Sequence, residues 1–590
     1  MAFLCPPPVV RRPSCFFLFP VSWLFLDPPD ETARRLADTL AVHPAVAALL
    51  VRLGADTPGA AADFLRPRLD LVADPLQVAN LDRAVDRLIA AIDAREPIAV
   101  LGDYDVDGVT STTLLIDVLR RLGADPKYFV PRRLEEGYGL SRAALERVLG
   151  EGPFKLFVAL DCGTNSHAEI ALLRERGLDV IVVDHHRSKQ DIHPDCILVN
   201  PHVHDDDACS WLNLCTVGLT FKVAHGLLKK LRARDNAVAK RIVMREYLDL
   251  VALGTVADLV PLTRENRVLT SHGLRQLRDT RREGVRALMR VSRITPEADL
   301  HPVDVSFRLG PRINASGRLA DAALPVAMML SSDALFCERA AGELDAMNRE
   351  RQEIEKGVFE EAKAQLETGH ADARGLLAHG DWHPGVVGIV AGKLARHFNR
   401  PCIVLGREGE WAKGSGRSVA GISLVEVLRE SGDLLEAWGG HPMAVGITVL
   451  ADRVPEFRRK FDAGVTEWLR AGRVPDSSLT VAGSLRADDV TDALLDQLEL
   501  LHPHGEGNPE PVFAIKSVVL RDSPLFFGEN NFRFRIPASP GRQLGVVAWR
   551  KADNPPPAGK PVDLALRLGW NHYNGRKYPQ AELVDWRPSA

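Results

Sequence analysis

The sequence predicts an α/β protein: two α/β lobes joined by a long helix and followed by a β-barrel. Three observations carry that prediction. Between residues 97 and 200, short apolar runs (PIAVLGDY, KLFVALDCG, DVIVVDHH, CILVNP) alternate with helical stretches such as STTLLIDVLRRLG. Buried strands alternating with helices imply a parallel, doubly wound sheet. Residues 333–367 contain no proline and only two glycines, and read as one long amphipathic helix or two abutting ones, a rigid spacer between lobes. After about residue 475, aromatic-rich strand-like runs are separated by Pro/Gly turns. A chain of 590 residues is several domains long.

Taken in order, residues 1–26 (MAFLCPPPVVRRPSCFFLFPVSWLFL) are expected to be an unstructured extension or the product of an early start site. Arg11 and Arg12 before an apolar run imitate a signal peptide, but Pro20 interrupts the run and no small-residue cleavage site follows. Residues 27–95 are expected to form an N-terminal helical segment, with apolar residues at three- and four-residue spacing in LADTLAVHPAVAALLVRLG and LDRAVDRLIAAIDA. The expected domains are then 96–332 for the first α/β lobe, 333–368 for the connecting helix, 369–472 for the second lobe and 473–590 for the β-barrel.

With 74 basic and 78 acidic residues the formal net charge is −4, which argues against a histone-like polycation but not against a local basic stripe for nucleic acid. Eight cysteines form no CxxC pair, so a zinc ribbon or a disulfide framework is not expected and a reduced, cytoplasmic protein is.

The chemistry is written at strand ends. PIAVL runs into Asp103, Asp105 and Asp107, and Gly108 then opens a Ser/Thr-rich helix. Alternate positions of an extended segment share a face, so these carboxylates converge. Three anions at ~4 Å repel by about 4 kcal/mol per pair at an effective dielectric near 20. A hard divalent cation with oxygen ligands relieves that repulsion; the alternative is a solvated turn with capping aspartates. KLFVAL ends in Asp161-Cys162-Gly163-Thr164 and DVIVV ends in Asp184-His185-His186, both at the same edge of a parallel sheet. Asp258 closes the apolar run VALGTVADLVPL. Mixed carboxylate and imidazole ligands suit Mn²⁺ or Mg²⁺. Cys162, with no second thiolate nearby, reads as packing.

GDYDVDGVTS, LDCGT, VVDHH, GTVADLVPL and GPRINASGRL, in this order and spacing, resemble the DHH phosphoesterase superfamily and, more narrowly, its RecJ family of single-strand-specific 5′→3′ DNA exonucleases. WHPGVVGIVAGKLA, GSGRSV and GGHPMAVG resemble that family's DHH-associated domain, and LHPHGEGNPEPVF the lead into its C-terminal OB-fold. The resemblance implies a two-metal hydrolytic site with Mn²⁺ or Mg²⁺, held by Asp105, Asp107, Asp161, Asp184, His185, His186 and Asp258, with Asp103 in support. It also implies single-stranded DNA as the substrate, cut from the 5′ end to 5′-mononucleotides in repair and recombination. A single-strand-binding protein and a helicase would be partners, with no membrane, and the chain a monomer.

A 5′-phosphate pocket needs fixed donors, and arginine forks match phosphate best. The candidates are Arg132 in VPRRLEEGYGL, Arg318 in NASGRL, Arg417 with Ser415 in GSGRSV, and His383 and His441 in DWHPG and GGHPM. The bland alternative for each arginine is a surface salt bridge; the Gly/Ser-rich settings of Arg318 and Arg417 favour the anion. In the last domain, Phe527 and Trp549 are candidates for base stacking and Arg533 and Arg535 for tracking the backbone. Alternation in FRFRI puts Phe532 and Phe534 on one face and both arginines on the other. Two segments depart from the family pattern: 202–224 is unusually acidic and cysteine-rich, and His504 stands where an aromatic is usual. Neither is expected to touch the metal ligands. The competing functions are a small-molecule or short-oligonucleotide phosphodiesterase of the same superfamily, which has no need of the tail after 475, and a non-catalytic DNA scaffold, which has no need of an intact ligand set.

Overall fold

The computed structural model describes residues 22–26, 30–137, 139–188, 193–295, 299–319, 322–472, 478–538, 543–573 and 576–589. Residues 1–21 of the expected extension lie outside them. Its last residues do not fit the expectation: Trp23–Phe25 form a strand, β1, paired in parallel with Leu479–Val481 near the other end of the chain. The Trp23 indole is buried, its Nε1–H donates to Asp585 at 2.8 Å, and the Arg587 guanidinium stacks on it.

The N-terminal segment is helical, but it serves two cores. Helices α1 (Glu31–Leu40), α2 (Pro44–Arg52) and α3 (Pro58–Leu65) bury Leu36, Val46, Leu50 and Leu65 against Leu494, Leu498 and Phe513 of the C-terminal domain. Helix α4 (Leu81–Asp93) instead puts Leu81, Val85 and Leu88 into the core of the first lobe.

That lobe is an all-parallel five-stranded sheet in the order β3-β2-β4-β5-β6, made of β2 (Ile98–Gly102), β3 (Lys127–Phe129), β4 (Leu156–Leu160), β5 (Asp179–Val183) and β6 (Ile197–Val199). β2 and β4 are buried along their whole length, which is why they read as continuous apolar runs. From β2 the chain moves to one side for β3 and then crosses to the other for β4. The reversal opens a crevice at the carboxyl ends of β2 and β4, the place where open α/β sheets bind ligands.

A 36-residue helix, Ala334–Gly369, about 54 Å long at 1.5 Å per residue, joins the lobes. Its first half buries Cys337, Ala341 and Leu344 in the first lobe, and its second half buries Val358, Ala362 and Leu366 in the second. The second lobe is a mixed sheet, β10-β11-β9-β8-β7, of β7 (Leu376–Gly380), β8 (Cys402–Glu408), β9 (Trp411–Arg417), β10 (Leu435–His441) and β11 (Ala444–Leu450); only the β7/β8 pair is parallel.

After β12 (Leu479–Val481) comes a seven-stranded sheet in the order β13-β14-β18-β19-β17-β16-β15. Its strands are β13 (Gly483–Leu485), β14 (Val512–Val519), β15 (Leu525–Phe527), β16 (Asn531–Pro537), β17 (Gln543–Ala548), β18 (Pro561–Tyr573) and β19 (Arg576–Pro588). Along β16 the expected alternation holds: Phe532, Phe534 and Ile536 are buried, whereas Arg533 and Arg535 are exposed. Among the described residues no helix is long and apolar enough to cross a membrane.

Candidate metal centre and cleft

Asp103 to Asp107 occupy the turn from β2 into α5 (Val106–Arg121). The turn is tight because Gly108 lies against it: a Cβ there would sit 2.3 Å from the Asp103 carbonyl oxygen. Asp105 is the N-cap of α5, accepting from the backbone N–H of Asp107 (3.0 Å) and Gly108 (3.1 Å). Capping was the bland reading of this aspartate, and it does cap; it also lines the cleft described below. Asp107 is buried, and its two oxygens accept from the N–H groups of Thr216 and Val217, each at 2.7 Å, at the N-terminus of the helix Thr216–Ala233.

Asp161 follows β4 directly and is held at φ +63°, a left-handed conformation that aspartate tolerates better than most residues. Its Oδ1 accepts from the Thr216 hydroxyl at 2.9 Å. Asp184 follows β5 and is fully engaged: Oδ2 accepts from Thr164 N–H at 3.1 Å, and Oδ1 from the N–H of His185 (2.8 Å) and His186 (3.1 Å) and from His186 Nδ1 (2.7 Å). The His185 ring reaches the opposite wall, with Nε2 at 3.3 Å from Asp258, 3.6 Å from Asp161 and 3.9 Å from Asp107. Asp258 arrives from the end of the helix Leu248–Ala257.

Within this arrangement three sets of groups, Asp161/His185/His186, Asp107/Cys215/Asp258 and Asp103/Asp105/Asp161, the first and last sharing Asp161, each offer ligand atoms within 4.8 Å of one another. His185 Nε2 and Asp258 Oδ2 are buried without a hydrogen-bond partner, a condition that costs free energy in a protein left to itself. The protonation states tell the same story. Burial, then the neighbouring carboxylates, push Asp107 up to about 7, Asp103 to about 8 and Asp258 to about 9, and hold Asp161 well above the carboxylate range. Asp184 goes the other way: against its burial, the hydrogen bond and charge of His186 hold it below the usual range. His186, against its own burial, is raised to about 9 by Asp184, whereas burial and the neighbouring His186 lower His185 to about 4. A nest of oxygens that cannot all ionise, with a neutral imidazole among them, fits divalent cations.

The segment 202–224 was expected to leave the ligands alone, and here the structure corrects the sequence reading. Thr216 and Val217 anchor Asp107, Thr216 anchors Asp161, and the buried Cys215 joins one ligand set. The signal that was available is a helix start, CTVG, carrying a hydroxyl residue at its first position. Asn200 was also missed; its Nδ2 bonds Thr164 Oγ1 and the His186 carbonyl, holding the β4 and β5 loops together. Cys162 is packing, as read, in the apolar core on one side of the sheet.

From Asp105 a cleft of about 1290 Å³ runs between the lobes. Tyr104, Asp105, Asn314 and Arg318 line one wall, and Gly388, Lys413, Ser415, Arg417, Trp438 and His441 the other. Arg417 donates to Ser415 Oγ at 2.9 Å, and Gly388 lets the helix Pro384–Phe398 pass close to both side chains. Arg318 donates across the cleft to the Gly385 carbonyl at 2.8 Å and so ties the lobes together. The structure does not bring all the candidates together. Arg132 is exposed, pairs with Glu135 three residues along its own turn, and does not line the cleft, which is the bland fate of a surface arginine. His383 uses Nδ1 to cap the helix Pro384–Phe398.

On the C-terminal sheet, Arg533 and Arg535 line a second concavity of about 860 Å³ with Arg521 and Tyr578. Phe527 and the half-exposed Trp549 meet edge to face at 5.6 Å beside the exposed Phe526. His504 packs on His502 at 4.3 Å, and burial pushes it down to about 3. A neutral imidazole therefore packs at this position.

Three family models match the chain: the DHH family N-terminal domain over residues 97–255, the DHHA1 domain over 372–467 and the RecJ OB domain over 481–585. Among curated relatives, the single-stranded-DNA-specific exonuclease RecJ of Bacillus subtilis is 34% identical over 580 residues, 95% of this chain and 70% of that protein. The Escherichia coli protein of the same name is 34% identical over 566 residues, 93% of this chain and 97% of that one. Among solved structures, Thermus thermophilus RecJ in complex with Mn²⁺ superposes with a TM-score of 0.81 at 30% identity, covering 97% of this chain and 80% of that one. The same protein in complex with Mg²⁺ gives 0.76 at 29% identity, covering 97% and 79%.

Proposed function

The chain belongs to the RecJ family of single-stranded-DNA-specific exonucleases, and from that membership we propose that it hydrolyses single-stranded DNA from the 5′ end, releasing 5′-mononucleotides. The observation that carries the reading is the single cleft that joins Asp105 of the metal centre to Ser415, Arg417 and His441. A terminal phosphate seated on those donors presents the next phosphodiester to the metal centre. That is a way of selecting an end.

The residues divide the work by their electrostatics. Of the seven expected ligands, Asp105, Asp107, Asp161, Asp258, His185 and His186 are the groups that would hold the ions, with Asp103 and Cys215 beside them, whereas Asp184 spends its oxygens on Thr164, His185 and His186. When bound, a pair of divalent ions supplies Lewis acidity for the scissile phosphate and lowers the pKa of the attacking water. His186 differs from His185. Asp184 orients its ring through Nδ1 at 2.7 Å and raises its pKa, and its side chain is 43% exposed, which leaves the second ring nitrogen facing the site. Thr216 and the N-terminus of its helix hold Asp107 and Asp161 in place by hydrogen bonds.

The lobes are tied by Arg318 and by one continuous helix, and in this reading the groove between them would admit one strand and exclude a duplex by size. Such an enzyme needs a helicase to expose its substrate and meets single-strand-binding protein on it; these are the partner classes we assign, with repair and recombination as the setting. The free cysteines among the described residues fit a reducing cytoplasm.

The test is a Mn²⁺-dependent digest of long single strands labelled at the 5′ or 3′ end, with and without chelator and beside a blunt duplex. Early release of the 5′ label alone, abolished by chelator and absent on the duplex, is expected. Release of the 3′ label first, equal digestion of the duplex, or indifference to chelator rejects the reading.

A further inference from the structure

The lead into the C-terminal domain, LHPHGEGNPEP, does not line the cleft, and neither does Arg267, one of the largest fully buried side chains among the described residues. Arg267 stands on the first-lobe helix Arg264–Arg278, yet every partner of its guanidinium belongs to another part of the chain. It donates to the carbonyls of Phe64 (2.9 Å), Leu500 (3.0 Å), Leu501 (2.9 Å) and His502 (2.9 Å), and lies over the Phe64 ring at 3.8 Å. Asn508 closes the turn by donating to the carbonyls of Leu501 and Pro503, each at 2.9 Å. The far side of that turn rests on Pro261–Thr263, the stretch that begins three residues after Asp258. There Leu262 N–H donates to the Glu506 carbonyl at 2.7 Å. Gly507, at φ +70°, lets the backbones meet so closely that a Cβ would stand 3.0 Å from Pro261 Cβ. A buried guanidinium spending its donors on four carbonyls is poor value for stability alone, but its fork fixes two segments in one geometry.

We infer that Arg267 and the Leu501–Asn508 turn form one positioning device, which locks the C-terminal β platform to the chain segment carrying Asp258 so that a strand held on the platform meets the metal centre in a fixed register. Arg267 is a positioning residue and touches neither ions nor DNA. The inference rests on the single-strand nuclease reading. With the lock intact, platform and cleft act as two linked sites on one strand; when it is loosened, the second binding event loses its effective concentration. The loss falls on strands long enough to reach both sites and spares those that occupy the cleft alone.

The full-length protein is assayed with Mn²⁺ on a 5′-phosphorylated trinucleotide and on a 40-mer, as wild type, Arg267→Lys and Gly507→Ala. Gly507→Ala strains the turn without emptying a buried site, so it serves if Arg267→Lys fails to fold; melting curves report folding. In folded variants KM for the 40-mer rises about tenfold or more while kcat and the trinucleotide KM stay within about twofold. Parallel losses on both substrates, or an unchanged ratio of the two KM values, overturn the inference. A wild type that cuts neither substrate overturns the nuclease reading itself.

Discussion

The metal centre and the C-terminal sheet are both built for a polyanion, yet they handle charge in opposite ways. At the metal centre, Asp103, Asp107, Asp161 and Asp184 are buried together, and burial and the neighbouring carboxylates drive most of them toward protonation. On the C-terminal sheet the charged groups stand outside: Arg533 and Arg535 face solvent while Phe532 and Phe534 beneath them form a finished core. The first region gathers buried carboxylates that can ionise together only around divalent ions. The second has a finished core of its own, and in the proposed reading its arginines would add weak, independent contacts to a strand. Substitutions should therefore be severe and mutually dependent in the one region, mild and additive in the other.

The sharpest test of that contrast is Asp161→Asn, which removes a charge from the centre with almost no change of volume. Hydrolysis should fall on the order of 10³-fold while binding of a 40-mer in the presence of Ca²⁺ or chelator is kept. A variant that loses binding and cleavage together would erase the distinction. Next comes pH. In metal-free protein, Asp107, Asp103 and Asp258 hold protons up to about 7, 8 and 9, whereas unfolded carboxyls release theirs near 4. The folded state thus binds more protons across that window, and stability falls as pH rises, each carboxyl removing on the order of 1 kcal/mol per pH unit. His186, raised to about 9, acts in the same direction, since its contribution is fully present below its unfolded value and is lost as pH climbs through the folded one. Two groups oppose them: Asp184, held low, at acid pH, and His185, lowered to about 4, between that value and its unfolded one near 6.5. The melting temperature in chelator should therefore drop from about pH 6.5 to pH 8, and Mn²⁺ should raise it more at pH 8 than at about pH 6.5. A chelated protein that melts higher at pH 8 would contradict the buried-charge account.

Arg417→Ala comes third. Losing one charge-assisted contact of about 1.5–3 kcal/mol should raise KM for a 5′-phosphorylated strand roughly 10- to 100-fold, with far less effect on a 5′-hydroxyl strand. Equal effects on both ends would remove Arg417 from phosphate recognition. The smallest effects belong to the C-terminal sheet. Arg533→Ala and Arg535→Ala should each weaken 40-mer binding by about two- to fivefold, add in the double variant, and each flatten the slope of log K against log salt by close to one contact. Strong coupling between them would mean that the sheet, like the metal centre, works as a unit.

Much of the centre was legible because its ligands sit at the ends of continuous apolar runs: Asp103, Asp161 and Asp184 each follow directly on a buried strand. What escaped lay in places where local pattern carries little information. Thr216 looks like any helix-start threonine until the fold sets it between Asp107 and Asp161. Arg132 and Arg417 were both candidates for the phosphate, and the Gly/Ser-rich setting favoured only the second; Arg132 faces solvent beside Glu135 and Arg417 faces a cleft. Trp23 belongs to a stretch that reads as dispensable and becomes core only through Leu479–Val481.

By itself the sequence determined the alternation of strands and helices, the long connecting helix, the family and the inventory of charged groups at strand ends, because each is a property of neighbouring residues and their periodicity. Only the tertiary structure decided which of those groups meet, that α1–α3 serve the C-terminal core and α4 the first lobe, and that Arg267 reaches across to four carbonyls. Those outcomes depend on segments up to hundreds of residues apart being brought within hydrogen-bond range, and the shared burial that drives such closure has no signature in local pattern.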